Sequence, residues 1–93
     1  MDKYTILFTD TYVRRARKFF KKHPEILPQY EKCLLLMENN PFHPSLRLHP
    51  LQGKLKGMHS ISITLSYRLT LVFLIDEREI VPIHIGTHDD VYM

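Results

Sequence analysis

The stretch Arg68–Ile75, with the sequence RLTLVFLI, decides the fold because its residues alternate with a period of two. Its two rows are Leu69, Leu71, Phe73 and Ile75 on one side and Arg68, Thr70, Val72 and Leu74 on the other. Such alternation is typical of a strand with one buried face. Two neighbouring stretches share it, with the apolar rows Ile61, Ile63, Leu65 and Val81, Ile83, Ile85. The C-terminal part therefore predicts three strands in a meander.

The apolar rows also predict the register of the last hairpin. If they share one face of the sheet, the numbers of paired residues must sum to an even number, because a slip by one residue would turn one row to the wrong face. The hairpin loop then holds an odd number of residues, for instance three centred on Glu77. Arg68 is expected opposite Gly86, and Thr70 opposite His84.

This register predicts a polar face on the other side of the sheet. We expect it to carry Ser62, Thr64, Arg68, Thr70 and His84. His88 follows just beyond the end of the last strand. The alternation therefore predicts that one arginine and two histidines cluster on this open face.

The first half of the chain predicts one strand and two helices. Alternation over Lys3–Thr9 predicts the strand, and Thr9 or Asp10 can cap a helix that runs to about Lys22. A second helix is expected from about Ile26–Pro28 to Asn39, since proline is tolerated in a first turn. The predicted fold is α+β in the order β-α-α-β-β-β, with two antiparallel helices on one face of a mostly antiparallel twisted sheet.

Length and charge narrow the class of protein. With 93 residues the chain predicts a single domain over residues 1–93, and it contains no apolar run long enough for a membrane helix. The net charge is +3, but residues 1–57 hold eleven Lys and Arg against five Asp and Glu. This basic half favours a polyanionic partner such as nucleic acid. The single cysteine and the absence of an apolar signal core predict a reducing, cytoplasmic location.

Histidine and arginine are the candidate chemical groups. The set is His49, Arg68, His84, His88 and Tyr92. Arginine can neutralise a phosphate and histidine can move protons near neutral pH, which are the functions that phosphodiester cleavage needs. The alternative is that the histidines are scattered surface residues. His84 and His88 have metal-ligand spacing only in a helix, which the strand pattern opposes, so no metal and no cofactor is predicted.

Two further features keep two interpretations each. The basic run Arg14–Lys18 is either the solvated face of a helix or a track for phosphates. Tyr67 either stacks on a base or packs at the start of its strand. The loop Arg47–Gly57 (RLHPLQGKLKG) combines cations with two glycines, and Lys54 and Lys56 would share one side if it is extended.

Three motifs resemble a known family. They are HPLQG at His49–Gly53, YRL at Tyr67–Leu69 and IGTHDDVY at Ile85–Tyr92. Together with the order of elements they are similar to the RelE/ParE toxin superfamily, in its branch of YafQ-like mRNA interferases. The resemblance implies a toxin of a type II toxin–antitoxin pair that cleaves mRNA in the ribosomal A site without a metal. It also implies an antitoxin that blocks the toxin and binds operator DNA, and no membrane partner.

The resemblance also implies roles for single residues. His49 and His88 transfer protons, Arg68 holds the scissile phosphate, and Tyr92 positions or stacks on the RNA. The resemblance places phosphate contacts on Lys54 and Lys56, and Arg47 and Tyr67 are further candidates for RNA binding outside the resemblance. The chain departs from the YafQ-like pattern at Ser62 and Ser66, where that branch has a histidine and an aspartate, and at His84, where it has an arginine.

These departures leave other functions open. One is a non-enzymatic or weakened relative, either a toxin that acts on DNA gyrase like the ParE branch or a co-repressor bound to its antitoxin. The RNase-like histidines and arginine argue against the gyrase branch, whereas the two serines favour the weakened relative. The other is a basic RNA-binding module without chemistry, which predicts salt-sensitive binding and no cleaved product.

Overall fold

The computed structural model describes residues 3–87, which form seven helices and strands. They are β1 (Thr5–Ile6), α1 (Asp10–Lys22), α2 (Leu27–Asn39), β2 (His49–Pro50), β3 (His59–Ser62), β4 (Tyr67–Leu74) and β5 (Glu79–Thr87). Single turns of 3-10 helix lie at Pro24–Ile26, Pro44–Leu46 and Gly53–Leu55. His88 and Tyr92, which the sequence predicts as site residues, lie outside the described residues.

The strands form one sheet in the order β1-β5-β4-β3-β2. β1 runs parallel to β5, and all the other described pairs are antiparallel. The predicted α+β class is therefore confirmed. Two details differ: β1 has only two residues instead of the seven predicted, and β2 is an additional edge strand that the sequence pattern did not show. β1 is short because its chain leaves the sheet at once to enter α1.

Both helices have the predicted bounds. The side chain of Thr9 accepts a hydrogen bond of 3.1 Å from the backbone N–H of Tyr12, which satisfies one of the free donors at the start of α1. α1 ends at Lys22, and Pro24 follows the capping residue His23. Pro28 lies in the first turn of α2, where its missing N–H costs nothing.

The core lies between the helices and one face of the sheet. Tyr12, Cys33 and Met37 from the helices meet Ile61 and Leu69 from the strands, and all five are at most 2% exposed. The hydroxyls of Tyr12 and Tyr30 hydrogen-bond each other at 2.8 Å within this core. Burial raises the pKa of both phenols, because it disfavours the charged form.

The register at the beginning of β4 is the predicted one, but the hairpin loop is not. Arg68 pairs with Gly86 and Thr70 with His84, as predicted. Leu71 then pairs with Pro82, so that Ile83 is an extra residue in a β-bulge. From Leu71 onward the numbers of paired residues sum to an odd number instead of an even one. The loop accordingly holds four residues, 75–78, instead of three.

The bulge also changes which residues of β5 are buried. Ile80 and Pro82 face the core, whereas Val81 and Ile83 are only half-buried, so the predicted apolar row of this strand was wrong before Ile85. Pro82 explains the position, because proline has no N–H to donate to the ladder and fits best where the pairing is irregular.

The strand predicted from the row Ile61, Ile63 and Leu65 ends earlier than its alternation indicated. β3 stops at Ser62, and Leu65 is 86% exposed in the turn that follows. Thr64 is also in this turn, where its hydroxyl accepts hydrogen bonds of 3.2 Å from the N–H groups of Ser66 and Tyr67. Thr64 therefore caps a turn and does not belong to the polar face. Between residues 3 and 87, neither helix has the length and apolar character that crossing a membrane requires.

Candidate active site

The face of the sheet away from the helices carries a row of four polar residues on adjacent strands. His49 pairs with Ser60, Ser60 with Thr70, and Thr70 with His84. A second, shorter row lies beside it, in which Ser62 pairs with Arg68 and Arg68 with Gly86. The pairing therefore brings His49, Arg68 and His84 to one face, although they are up to 35 positions apart in the sequence.

The spacing of the strands limits what the two histidines can do together. Three steps between adjacent strands separate His49 from His84, which places their backbones about 14 Å apart at a strand spacing of about 4.8 Å. The two imidazole rings therefore project from well-separated points on the sheet. Arg68 lies on β4, between the strands of the two histidines.

His49 is held in a defined tautomer. Its Nδ1 lies 2.8 Å from the backbone oxygen of Arg47. A carbonyl oxygen can only accept, so Nδ1 carries the hydrogen, and the neutral ring has its lone pair on Nε2. Arg47 is in the left-handed conformation with φ 52°, which turns the chain so that this contact forms. The side chain of His49 is exposed, and its Nε2 can accept a proton.

Arg68 is held by a serine. Its Nη1 donates a hydrogen bond to Oγ of Ser62, the residue opposite it on β3. Arg68 is half-buried, so this contact limits the orientations of the guanidinium group. Ser62 stands at one of the three positions where the chain departs from the YafQ-like pattern. The structure gives it a role in orienting Arg68 that the sequence did not indicate.

The basic loop differs from the expected extended segment. Gly53–Leu55 is a turn of 3-10 helix, and Gly53 and Gly57 have φ angles of 66° and 98°. These angles are in the region that only glycine adopts without strain. Lys54 and Lys56 are both exposed, but the turn between them removes the shared side that an extended chain would give.

Tyr67 is part of a cluster of rings. Its hydroxyl lies 3.2 Å from Nδ1 of His23, and its ring packs edge-on against Phe19 at a centroid distance of 5.1 Å. The side chain is half-buried. This arrangement agrees with the packing interpretation of Tyr67, and contact with RNA stays a prediction.

Two hydroxyl groups in the row are buried without a partner. Ser60 and Thr70 are at most 1% exposed, and neither hydroxyl makes a hydrogen bond in the part of the chain that the structure describes. The sequence predicted Thr70 on an open face, so its burial is a correction. A buried hydroxyl that makes no hydrogen bond costs free energy, typically about 1–3 kcal/mol.

Nearly the whole chain matches a known protein family. The family model for a bacterial toxin of type II toxin–antitoxin systems, YafQ, matches residues 4–93. This chain belongs to the YafQ toxin family. The resemblance inferred from the three motifs is thereby confirmed. No curated protein matches the chain.

Solved structures of toxins share the fold of this family member. The crystal structure of YafQ from Escherichia coli BL21(DE3) is 19% identical, with a TM-score of 0.78 over 98% of this chain and 100% of that one. The toxin–antitoxin complex of DinJ and YafQ from E. coli contains a chain that is 22% identical, with a TM-score of 0.76 over 98% and 99%. The YoeB/ParE toxin from Agrobacterium tumefaciens is 16% identical, with a TM-score of 0.71 over 90% and 98%.

One group of residues in this YafQ family member extends the basic run Arg14–Lys18, which the sequence left open as a solvated helix face or a track for phosphates. Arg15, Lys18 and Lys22 of α1 line a pocket together with His23 and His84. The three cations are spaced i, i+3, i+7, which places them along one side of a helix. That spacing was visible in the sequence, but the partner of this side, the edge of β5, was not. Among residues 3–87 no group of three or more His, Cys, Asp or Glu could hold a metal ion.

Proposed function

We propose that this YafQ-family toxin is an endoribonuclease that cleaves mRNA in the ribosomal A site without a metal. The observation that supports this most is the shared face of His49 and Arg68. One offers a lone-pair nitrogen and the other a guanidinium that is oriented by Ser62. A base and a phosphate-binding cation on one surface are the minimum that attack by a 2′-hydroxyl requires.

In this proposal each group has one function. Nε2 of His49 accepts the proton of the 2′-hydroxyl as its oxygen attacks the adjacent phosphorus. Arg68 neutralises the charge that develops on the phosphate. His88 gives a proton to the departing 5′-oxygen, and Tyr92 positions the RNA. The products are a 2′,3′-cyclic phosphate and a 5′-hydroxyl.

Ser62 and Ser66 change which residues can transfer protons. A serine hydroxyl does not act as a base near neutral pH, so Ser62 and Ser66 cannot replace the histidine and aspartate of the YafQ-like pattern. Proton transfer therefore rests on His49 and His88. His84 lies about 14 Å from His49 by the strand spacing, so it contacts a neighbouring part of the RNA. Arg47, Lys54, Lys56 and Tyr67 complete the RNA contacts.

The mapping of RNA ends tests this proposal. Purified toxin is added to translating ribosomes with EDTA present, and 5′ ends are mapped for the wild type, Arg68→Ala and His88→Gln. We expect either variant to lose cleavage on the order of 100-fold or more, since each removes a group that acts in the transition state. Lys32→Ala, on the exposed side of α2, is the charge-removal control and should cleave like the wild type.

Two outcomes would contradict the proposal. Unchanged cleavage by both site variants would show that these residues do not form the active site. Salt-sensitive RNA binding by the wild type with no new 5′ ends would favour the RNA-binding module without chemistry.

We also propose a cognate antitoxin as the protein partner, with the toxin acting in the cytoplasm and contacting operator DNA only through that antitoxin. The DinJ–YafQ complex is a structure of such a pair. In this chain an apolar groove between α1 and α2 has two large exposed side chains at its edge, Phe8 and Leu27, which are 48% and 41% exposed. Arg17 and Lys21 also line this groove. It therefore fits an apolar segment with flanking acidic residues.

Copurification tests the groove. The neighbouring reading frame, if it encodes a short acidic protein, is co-expressed with the toxin. We expect Leu27→Glu to lose the complex because it places a charge in the groove. Leu35→Glu, at a residue that is 60% exposed and does not line the groove, is the matched control and should copurify normally. Equal copurification by Leu27→Glu would contradict the assignment.

A further inference from the structure

We propose that the pocket between α1 and the edge of β5 binds a nucleotide of single-stranded RNA next to the cleavage position. This inference rests on the proposed ribonuclease function for its location, but not for its chemistry. The pocket has a volume of about 480 Å³. It lies outside the set of residues that the sequence assigned to the site, except for His84.

The pocket exists because β1 is short. β1 pairs with β5 only at Glu79 and Ile80, so the rest of this strand has no neighbouring strand on that side among the described residues. α1 packs along it instead. Nη1 of Arg15 donates a hydrogen bond of 2.8 Å to the backbone oxygen of Ile83, the extra residue of the bulge. This contact fixes a cation at the wall of the pocket.

The charge of the pocket calls for an anion. Arg15, Lys18 and Lys22 contribute three permanent positive charges, and within residues 3–87 no acidic side chain lines the pocket. Three cations around one pocket repel each other, and a bound phosphate would offset that repulsion. Lys18 and Lys22 are exposed, so their ammonium groups can reach a ligand without loss of packing.

The floor of the pocket favours a nucleotide over a bare phosphate. Phe19 and Ile85 line it with the cations, and the rings of Phe19 and His23 lie 4.8 Å apart. Cations beside aromatic side chains are the usual combination in sites for single-stranded nucleic acid, where the base contacts the ring and the cations track the backbone. A second basic surface on α1 is formed by Arg14, Arg17, Lys18 and Lys21, with no aromatic residue from the described part of the chain.

His84 connects the pocket to the polar face. It lines the pocket with α1, and it also pairs with Thr70 in the row that begins at His49. An RNA strand that crosses this row from His49 past Arg68 therefore reaches the pocket at His84. Since the span from His49 is about 14 Å, the nucleotide in the pocket is not the one at the cleaved bond.

The affinity for an RNA that cannot be cut tests the pocket separately from catalysis. A fluorescent single-stranded oligonucleotide with 2′-O-methyl groups throughout has no 2′-hydroxyl that could attack the adjacent phosphate. We expect Lys22→Gln and Lys18→Gln each to weaken its binding about five-fold and to lower the slope of log affinity against log salt by about 1. Lys32→Gln removes the same charge from α2 and should change neither quantity.

Kinetics with cleavable mRNA give a second reading. Lys22→Gln should raise KM and leave kcat unchanged, because a contact to a flanking nucleotide is the same before and during the reaction. A wild type that binds the 2′-O-methyl RNA through Lys22 but cuts no mRNA would support the pocket while the proposed ribonuclease function fails.

Four results would overturn the pocket. The first is wild-type affinity for the oligonucleotide in both lysine variants, and the second is an equal loss in Lys32→Gln, which would reduce the effect to net charge. The third is that a fully paired RNA duplex competes for binding as well as single-stranded RNA does, since paired bases cannot contact the ring of Phe19. The fourth is loss of antitoxin binding with unchanged RNA affinity, which would assign the pocket to the protein partner.

Discussion

Tyr12 with Tyr30 and Ser60 with Thr70 are two pairs of polar side chains that are almost fully buried in the same small protein. The tyrosine hydroxyls, between the two helices, hydrogen-bond each other at 2.8 Å. The hydroxyls of Ser60 and Thr70 are neighbours across two strands, but neither makes a hydrogen bond within the described part of the chain. The first pair is satisfied and the second is not.

The difference separates a pair of buried hydroxyls that adds to stability from a pair that lowers it. A satisfied pair of buried hydroxyls fixes how two helices pack and adds to stability. Buried hydroxyls that make no bond reduce stability, and proteins keep such groups mainly where they serve another purpose. Ser60 and Thr70 lie in the row between His49 and His84, the face that carries the proposed chemistry.

The largest expected change in the free energy of unfolding occurs at high pH and comes from the tyrosine pair. Burial holds the pKa of Tyr12 above its ordinary value of 10.0. The stability that comes from the neutral phenol is therefore fully present below pH 10 and is lost as the pH rises above it, at about 1.4 kcal/mol per pH unit. Urea unfolding at pH 9, 10, 11 and 12 measures the slope. The double variant Tyr12→Phe/Tyr30→Phe should lack this part of the slope, and an identical slope in both proteins would contradict the cause.

The second largest effect is expected when one hydroxyl is removed from the tyrosine pair. Tyr12→Phe leaves the hydroxyl of Tyr30 buried without its partner, and we expect a loss of about 2 kcal/mol in the free energy of unfolding. Chemical unfolding at pH 7 measures it. The double variant removes both hydroxyls and should lose less than the single one. A larger loss in the double variant would show that the rings depend on the hydroxyls for more than their mutual bond.

The unsatisfied pair should show the smallest effect. Thr70→Val replaces a buried hydroxyl with a methyl group of nearly the same size, so the free energy of unfolding should stay within about 1 kcal/mol of the wild type or rise. The same unfolding experiment measures it, with Ser60→Ala as the companion variant. A loss of 2 kcal/mol or more in Thr70→Val would mean that its hydroxyl has a partner, and the contrast with the tyrosines would disappear.

Local patterns in the sequence predicted the helices and most of the sheet. The Thr9 cap, the end of α1 at Lys22 and the pairs Arg68–Gly86 and Thr70–His84 follow from neighbouring residues, and the structure has them all. The three motifs led to the YafQ toxin family, which the family model confirms. The catalytic roles of His49, Arg68, His84, His88 and Tyr92 stay predictions.

Other features could not be predicted from local sequence patterns because they depend on residues far apart in the chain. The bulge at Ile83 changes the parity of β5, and alternation alone assumes an unbroken ladder. The hydrogen bond from Arg68 to Ser62 and the burial of Ser60 depend on how β3 pairs with β4. Leu65 fits a strand pattern, yet the chain turns before it.

The sequence by itself determined the two helices, the hairpin of β4 and β5, the basic first half and the family, because alternation, helix caps and motifs are properties of residues close together in the chain. Only the tertiary structure decided that His49 joins the row of Thr70 and His84, and that α1 covers the edge of β5 that β1 leaves open. Both results depend on which strands become neighbours. That choice is made by the packing of the whole core, which no short stretch of sequence contains.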